Sequence, residues 1–247
     1  MNPLRTLAPG KVNLCLALGE ERADGRHELV TVVQAISLAD RLRLETGVGA
    51  DEVICPAVEG ENLSARALVA YREATGWTGS PVRLTIEKQV PVAAGMGGGS
   101  SDAAGPLPPP TPFAVVVLPS PHRLATADVY READRLGLPR SVTELTERRA
   151  AIEAAFRLGA DIPTDLLVND LEPAARSLCP SIDAALADVR AAGATAALVS
   201  GSGPTVFGLF DDPGAAEAAA GELQSRHPGA RDATPVDASA GQVHDDR

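Results

Sequence analysis

The sequence predicts an α+β fold in two lobes, on three observations. Strand-like and helix-like segments are mixed without regular β-α alternation. The stretch Gly105–Pro112 packs five prolines into eight residues and so divides the chain near its middle. A chain of 247 residues, 45% of them hydrophobic, is long enough for two modest domains with an apolar core. One lobe is therefore placed at residues 1–112 and the other at 113–247.

Residues 12–18 read as a strand after the Pro9-Gly10-Lys11 turn, and 29–38 and 41–45 as further strands from their β-branched content. Asn62 precedes a helix over 63–74, whose Ala67, Leu68 and Ala70 recur at helical spacing before Gly76 ends it. Residues 81–86 alternate as a strand. Residues 91–104 form a glycine-rich loop that should open a helix, but the prolines from Pro106 onward stop it. Phe113–Leu118 has the composition of a fully buried strand. Helices follow over 126–136 (capped by Thr126), 144–158 (closed by Gly159) and 182–192 (closed by Gly193). Two strands at 196–200 and 205–210 flank Gly201-Ser202-Gly203-Pro204. An alanine-rich helix covers 215–225, and the polar tail after His227 is expected to fray.

The net charge of −11 argues against non-specific nucleic-acid binding. No apolar run reaches membrane-spanning length and there is no signal-peptide pattern, so a cytoplasmic protein without a membrane partner is expected. Cys15, Cys55 and Cys179 are odd in number, far apart and lack metal-type spacing; they read as buried free thiols. Of 22 basic residues only Lys11 and Lys88 are lysines. Where arginine is so favoured, a retained lysine points to a site that needs a compact ammonium; chance survival on a solvated face is the competing account, and it weighs more for Lys88.

Three segments carry chemistry. In the loop Pro91-Val-Ala-Ala-Gly-Met-Gly-Gly-Gly-Ser-Ser101, glycines let the backbone approach a ligand with its amides inward, and Ser100 and Ser101 open a helix whose free N–H groups attract anions. The loop lacks the Gly-Lys-Ser/Thr ending of a P-loop and the βαβ frame of a dinucleotide fingerprint. Ala8-Pro-Gly-Lys-Val-Asn-Leu14 sets a lysine and an asparagine at a strand start. Val199-Ser-Gly-Ser-Gly-Pro-Thr-Val-Phe207 is a second tight glycine turn able to bring amides to an anion.

In this order and spacing the three segments resemble the signature motifs of the GHMP kinases. With Ala23-Asp-Gly-Arg-His-Glu-Leu29 added, the chain is most similar to the 4-diphosphocytidyl-2-C-methyl-D-erythritol kinases of non-mevalonate isoprenoid synthesis, over residues 3–105 and 113–210. The resemblance implies a two-lobed GHMP kinase fold, with a truncated N-terminal lobe like ribosomal protein S5 domain 2 and a ferredoxin-like C-terminal lobe. It implies that the γ-phosphoryl group of ATP, with Mg²⁺ neutralising charge, passes to the 2-hydroxyl of the methylerythritol moiety of a small cytidine diphosphate-linked substrate. Pro91, Val92, Ala93, Ala94, Gly95, Met96, Gly97, Gly98, Gly99, Ser100 and Ser101 match the ATP-binding segment, while Asn62 and Lys88 match positions near the adenine. Lys11 matches a catalytic lysine beside the acceptor hydroxyl, and Asn13 a residue near that acceptor. His27 matches a histidine that hydrogen-bonds the cytosine. Gly201, Ser202 and Gly203, continuing to Thr205, match the motif that shapes the substrate and phosphate side. Neither a metal ligand nor an oligomeric state follows.

The chain departs from the family pattern twice. Arg26 stands where the family has a tyrosine before its cytosine-binding histidine; a guanidinium plane can also stack on a base. After Ala104 the family continues into a long helix and a segment bearing its catalytic aspartate, whereas this chain passes into the proline stretch, and several dozen residues have no counterpart. Leu158-Gly-Ala-Asp-Ile-Pro163 spells the missing motif almost letter for letter, but Asp161 is not taken as the replacement, because Val168–Ala175 just beyond it already matches the family's downstream sequence. The expectation is therefore a kinase with its base lost and weakened ATP binding. The alternatives are a non-catalytic nucleotide- or cytidine-binding remnant and a decayed gene without independent function. Homoserine or mevalonate kinase fits less well, given Asp24-Gly25-Arg26-His27 so close behind Lys11.

Overall fold

Two long strands open the chain in the computed structural model, which describes residues 3–58, 62–91, 95–96, 113–157 and 163–245. β1 spans Leu4–Glu21 and β2 spans His27–Thr46. The turn between them passes through Gly25, whose φ of +78° suits a residue without Cβ. The two segments expected at 29–38 and 41–45 are one continuous strand. Asp40, which reads as a break in the sequence, is only 7% exposed and stays extended because its carboxylate is fully engaged. It accepts hydrogen bonds from the Gln89 and Val90 amides (2.8 and 2.9 Å) and from Lys88 Nζ.

β3 (Glu52–Ile54), α1 (Leu63–Thr75) and β4 (Val82–Glu87) follow. The first sheet has the order β3-β4-β2-β1-β9, with β4 antiparallel to β2 (Leu42 opposite Ile86) and parallel to β3. Its last member, β9 (His244–Asp245), comes from the tail that was expected to fray. Leu4 pairs with Asp245, and Thr6 Oγ1 donates to Gly241 O at 2.8 Å, so backbone pairing holds a polar segment whose side chains alone gave no such signal. α1 starts and stops where its sequence signals place it. Asn62 Oδ1 accepts from Ser64 N at 2.8 Å, and Gly76 takes φ +64°.

The second sheet joins β5 (Ala114–Leu118), β6 (Ala196–Val199), β7 (Val206–Phe210) and β8 (Arg231–Ala233) in the order β6-β7-β5-β8, each neighbouring pair antiparallel. This is the ferredoxin-like order, and with the first sheet it makes the chain α+β. The intervening helices are α2 (Thr126–Arg135), α3 (Val142–Arg157), α4 (Glu172–Leu178) and α5 (Ser181–Ala191); α6 (Pro213–Leu223) precedes β8. Both α5 and α6 pack on the sheet, and α2 packs on α4. The core includes Leu16, Leu18, Val116, Val129, Ile182 and Phe210. All five residues of β5 are buried, as its unbroken apolar run requires.

Three details correct the sequence reading. Thr126 does not cap α2: Ala125 occupies the N-cap without a side-chain bond, and Thr126 Oγ1 lies 3.1 Å from Ser202 Oγ instead. α3 begins two residues before Glu144, because Ser141 and Glu144 form a reciprocal capping box (Ser141 N to Glu144 Oε2, 2.9 Å; Glu144 N to Ser141 Oγ, 3.3 Å). α4 is too short for its periodicity to be read. The cysteines are free thiols, with Cys15 and Cys179 buried and Cys55 half-buried.

Contacts divide the chain into two compact units, each built from separated segments. One comprises Met1–Gly10, Ser37–Val92 and Val236–Arg247, the other Lys11–Ile36 and Ala93–Pro235. The boundary expected near Pro112 lies outside the described residues, as do Gly159 and the expected helix start at Ser101. Among the described residues no helix is long and apolar enough to cross a membrane.

Candidate active site

Lys11 anchors the polar cluster of the unit formed by Lys11–Ile36 and Ala93–Pro235. Its Nζ donates to Asn13 Oδ1 at 2.6 Å and to the carbonyl of Gly95, and its amide donates to Met96 O at 3.1 Å. The β1 alternation puts residues 11 and 13 on one face, so the lysine and the asparagine meet by strand geometry alone. Burial pushes the Lys11 ammonium from 10.5 down to about 8. Both of these partners are amide oxygens, which orient a cation without neutralising it. Asn13, 5% exposed, is itself fixed: Nδ2 donates to Thr31 Oγ1 at 2.9 Å, and Thr31 Oγ1 donates to Cys15 O at 2.7 Å.

Gly95 and the turn between β6 and β7 meet at the same place. Ser200 Oγ donates to Gly95 O at 3.2 Å, the oxygen that also takes Lys11 Nζ. A Cβ on Gly95 would run into Ser200 O, and its φ of +72° is in the left-handed region; both demand glycine. The turn closes on itself through Ser200 N to Thr205 O and Gly203 N to Ser200 O, each 2.9 Å. Gly201 lies close enough that an added Cβ would stand 3.1 Å from Gly95 O and 3.4 Å from Asn13 Oδ1. Ser202 is 8% exposed and faces Thr126.

The structure thus brings together Lys11, Asn13, Gly95 and Gly201, which the sequence reading singled out. It adds Ser200, Thr31 and Asn169, which that reading left off its site. Asn169 is 6% exposed, and its Nδ2 donates to Val199 O at 2.8 Å and Gly201 O at 2.7 Å. Ser200 lay within the quoted glycine turn and was within reach of sequence reasoning. Asn169 lay in the Val168–Ala175 stretch already matched to the family but was given no role there, and Thr31 carried no such signal, since a single threonine acquires meaning only from what the fold sets opposite it.

His27 packs within the same unit. Its ring packs on Tyr130 with centroids 5.3 Å apart, Nδ1 donates to Gly19 O at 2.9 Å, and Nε2 lies 3.3 Å from Asp134 Oδ2. Both ring nitrogens are engaged within the protein and the side chain is 5% exposed. Asn62 and Lys88 belong to the other unit, where one caps α1 and the other pairs with Asp40. Pro91 is described; Val92–Ala94, Gly97–Ser101 and Asp161 lie outside the described residues. Among the described residues no three His, Cys, Asp or Glu side chains gather as a metal site needs.

Comparison with known proteins gives consistent matches. The family model for the GHMP kinases N terminal domain matches residues 62–107, and that for GHMP kinases C terminal matches residues 145–229. A 4-diphosphocytidyl-2-C-methyl-D-erythritol kinase of Anaeromyxobacter sp. (strain K) is 36% identical, with 92% of this chain and 87% of the relative covered. That alignment runs over 285 positions, more than the 247 residues of the chain, so it contains gaps on this side. A relative of the same name from Streptomyces coelicolor is 33% identical over 94% of this chain and 96% of its own length. A crystal structure of 4-(cytidine 5'-diphospho)-2C-methyl-D-erythritol kinase superposes with a TM-score of 0.74 at 30% identity, covering 94% of this chain and 98% of that one. Homoserine kinase from Cytophaga hutchinsonii, TM-score 0.68 at 15% identity over 99% and 98%, shares the fold.

Proposed function

Since the chain belongs to the GHMP kinases, and within them to the 4-diphosphocytidyl-2-C-methyl-D-erythritol kinases, we propose that it transfers the γ-phosphoryl group of ATP to the 2-hydroxyl of 4-diphosphocytidyl-2-C-methyl-D-erythritol. The observation that carries this reading is the convergence of Lys11, Asn13, Gly95 and the Ser200–Pro204 turn on one cluster. In the transfer, the acceptor oxygen forms a bond to the γ-phosphorus, the bond to the β–γ bridging oxygen breaks, ADP leaves, and the hydroxyl proton passes to solvent water. Catalysis of such a transfer is chiefly positioning and electrostatics. An ammonium has three protons; two of Lys11's are held by Asn13 Oδ1 and Gly95 O, and the third, with no partner among the described residues, is the one assigned to the acceptor or a phosphoryl oxygen. Asn13 and Gly95 aim that proton. Mg²⁺ bound with the nucleotide would neutralise charge on its phosphates.

In this reading the family's catalytic-aspartate segment is missing after Ala104, where the chain runs into its proline stretch. General-base help contributes about 10²–10⁴-fold, so turnover slower than in an intact relative by that order is expected. ADP release dependent on both ATP and the cytidylyl substrate, measured beside an intact relative, tests the proposal; no substrate-dependent release at high enzyme concentration sinks it. Binding of either ligand without any release would instead favour a non-catalytic remnant.

The pH profile sharpens the role of Lys11. Once deprotonated, it keeps two hydrogens, which its described partners Asn13 and Gly95 take up, and the donor toward the reacting groups is gone. Activity is expected to fall as pH rises through about 8. A rate that climbs through the same range would make the free amine the base.

A further inference from the structure

We propose that Asn169 is a positioning residue, holding the Ser200–Pro204 turn against the strand that carries Lys11 and Asn13. Three sets of bonds place it there. Toward β1 the backbone pairs as a short bridge: Leu16 N donates to Val168 O at 2.8 Å and Asp170 N to Leu16 O at 2.9 Å. Toward the turn, the two Nδ2 protons go to Val199 O and Gly201 O, the carbonyls on either side of Ser200. Toward its own segment, Oδ1 accepts from Leu171 N at 3.0 Å. Each Asn169 side-chain hydrogen is therefore used, on a residue 6% exposed.

The neighbours of Asn169 brace the same connection. Asp170 Oδ2 accepts from Leu18 N at 3.0 Å, and its carboxylate takes Arg140 through Nε and Nη2 (2.6 and 2.7 Å). Glu172 Oε2 accepts from Val199 N at 3.3 Å. β6 is an edge strand, and at its last residue the free N–H and C=O are satisfied by Glu172 and Asn169 side chains in place of another strand. The point at which the turn leaves the sheet is thus set by the 169–172 segment. From there the path to the lysine is one step: Ser200 Oγ and Lys11 Nζ share Gly95 O. Asn169 touches no reacting group; it acts through Ser200 and Gly95. The kinase reading supplies the purpose of this geometry, but the clamp itself can be measured without turnover.

The chain's two lysines make the measurement direct. Lysine ¹³Cε resonances give two signals, assigned with Lys88→Arg, and the Lys11 signal is titrated in the parent, in Asn169→Ala and in Val129→Ala. Val129 is a buried core residue of α2 outside the cluster and serves as a destabilised control. With the clamp removed the turn loosens, water reaches the ammonium, and the Lys11 midpoint should move from about 8 toward 10.5 in Asn169→Ala but not in Val129→Ala. If Asn169→Ala does not fold, Asn169→Ser, which keeps an acceptor for Leu171 N but cannot span both carbonyls, takes its place. An unmoved Lys11 midpoint in the folded variant overturns the proposal. So does an equal movement in Val129→Ala, or a parent value already at 10.5. Failure of the parent to release ADP counts against the kinase reading alone.

Discussion

Lys88 and Lys11, the chain's two lysines, are both drawn partly out of water, yet they meet different partners. Lys88 pairs with Asp40, a carboxylate that also takes two backbone amides at the end of β4. Lys11 meets the side-chain amide oxygen of Asn13 and the peptide oxygen of Gly95. The first arrangement neutralises the charge and ties a strand end to β2. The second leaves an ammonium desolvated with no counter-ion among the described residues, and burial lowers its ordinary value to about 8. A buried cation with no carboxylate partner among the described residues is the kind of group a fold keeps where an anion or a reacting oxygen is to be met, and that separates Lys11 from the ion-paired Lys88.

The largest effect that can break this contrast is on turnover. Lys11→Met is expected to lower ADP release by about 10²–10³-fold, the range typical of removing one preorganised donor, whereas Lys88→Met should leave kcat within a few fold. Equal losses in the two would erase the distinction. Next comes stability around Lys88. Asp40→Ala strands an ammonium and two amides and should cost about 3 kcal/mol in denaturant unfolding. Lys88→Met leaves Asp40 with both amides and should cost about 1 kcal/mol. A larger loss from Lys88→Met than from Asp40→Ala would show that the carboxylate is not the centre of the cluster.

The smallest effect is the pH dependence of stability. The folded value of Lys11, about 8, lies below its ordinary 10.5. Between the two, the unfolded chain keeps a proton that the folded chain has released, so stability rises with pH across that window. The rise should be about 1–3 kcal/mol from this group, bounded by the size of the shift, and absent in Lys11→Met. Flat parent stability from pH 8 to 10.5 would remove the basis for calling the cation uncompensated.

Much of this was legible in the sequence where a local rule acts alone. Asn62 and Gly76 bracket α1 because capping is decided within a few residues. The buried run of β5 is evident from composition. The strand through Asp40 was not, since only Lys88 and the amides of Gln89 and Val90, nearly fifty residues away, make a buried carboxylate tolerable there. β8 and β9 have two or three residues each and owe their form to the strands they pair with. The partners of the His27 ring nitrogens, Gly19 and Asp134, are likewise ones that no motif announces.

By itself the sequence marked residues that the fold gathers into the cluster: a lysine and an asparagine two apart on a strand, and glycines where a backbone must come close. Those are properties of one to ten neighbouring residues, and alternation or a missing Cβ is enough to declare them. Only the tertiary structure decided that Gly95 O is shared by Lys11 and Ser200, and that Asn169 spans the carbonyls of Val199 and Gly201. Those bonds join residues 30 to 105 positions apart. A long-range hydrogen bond leaves no periodicity in the chain; it exists only once packing has set donor against acceptor.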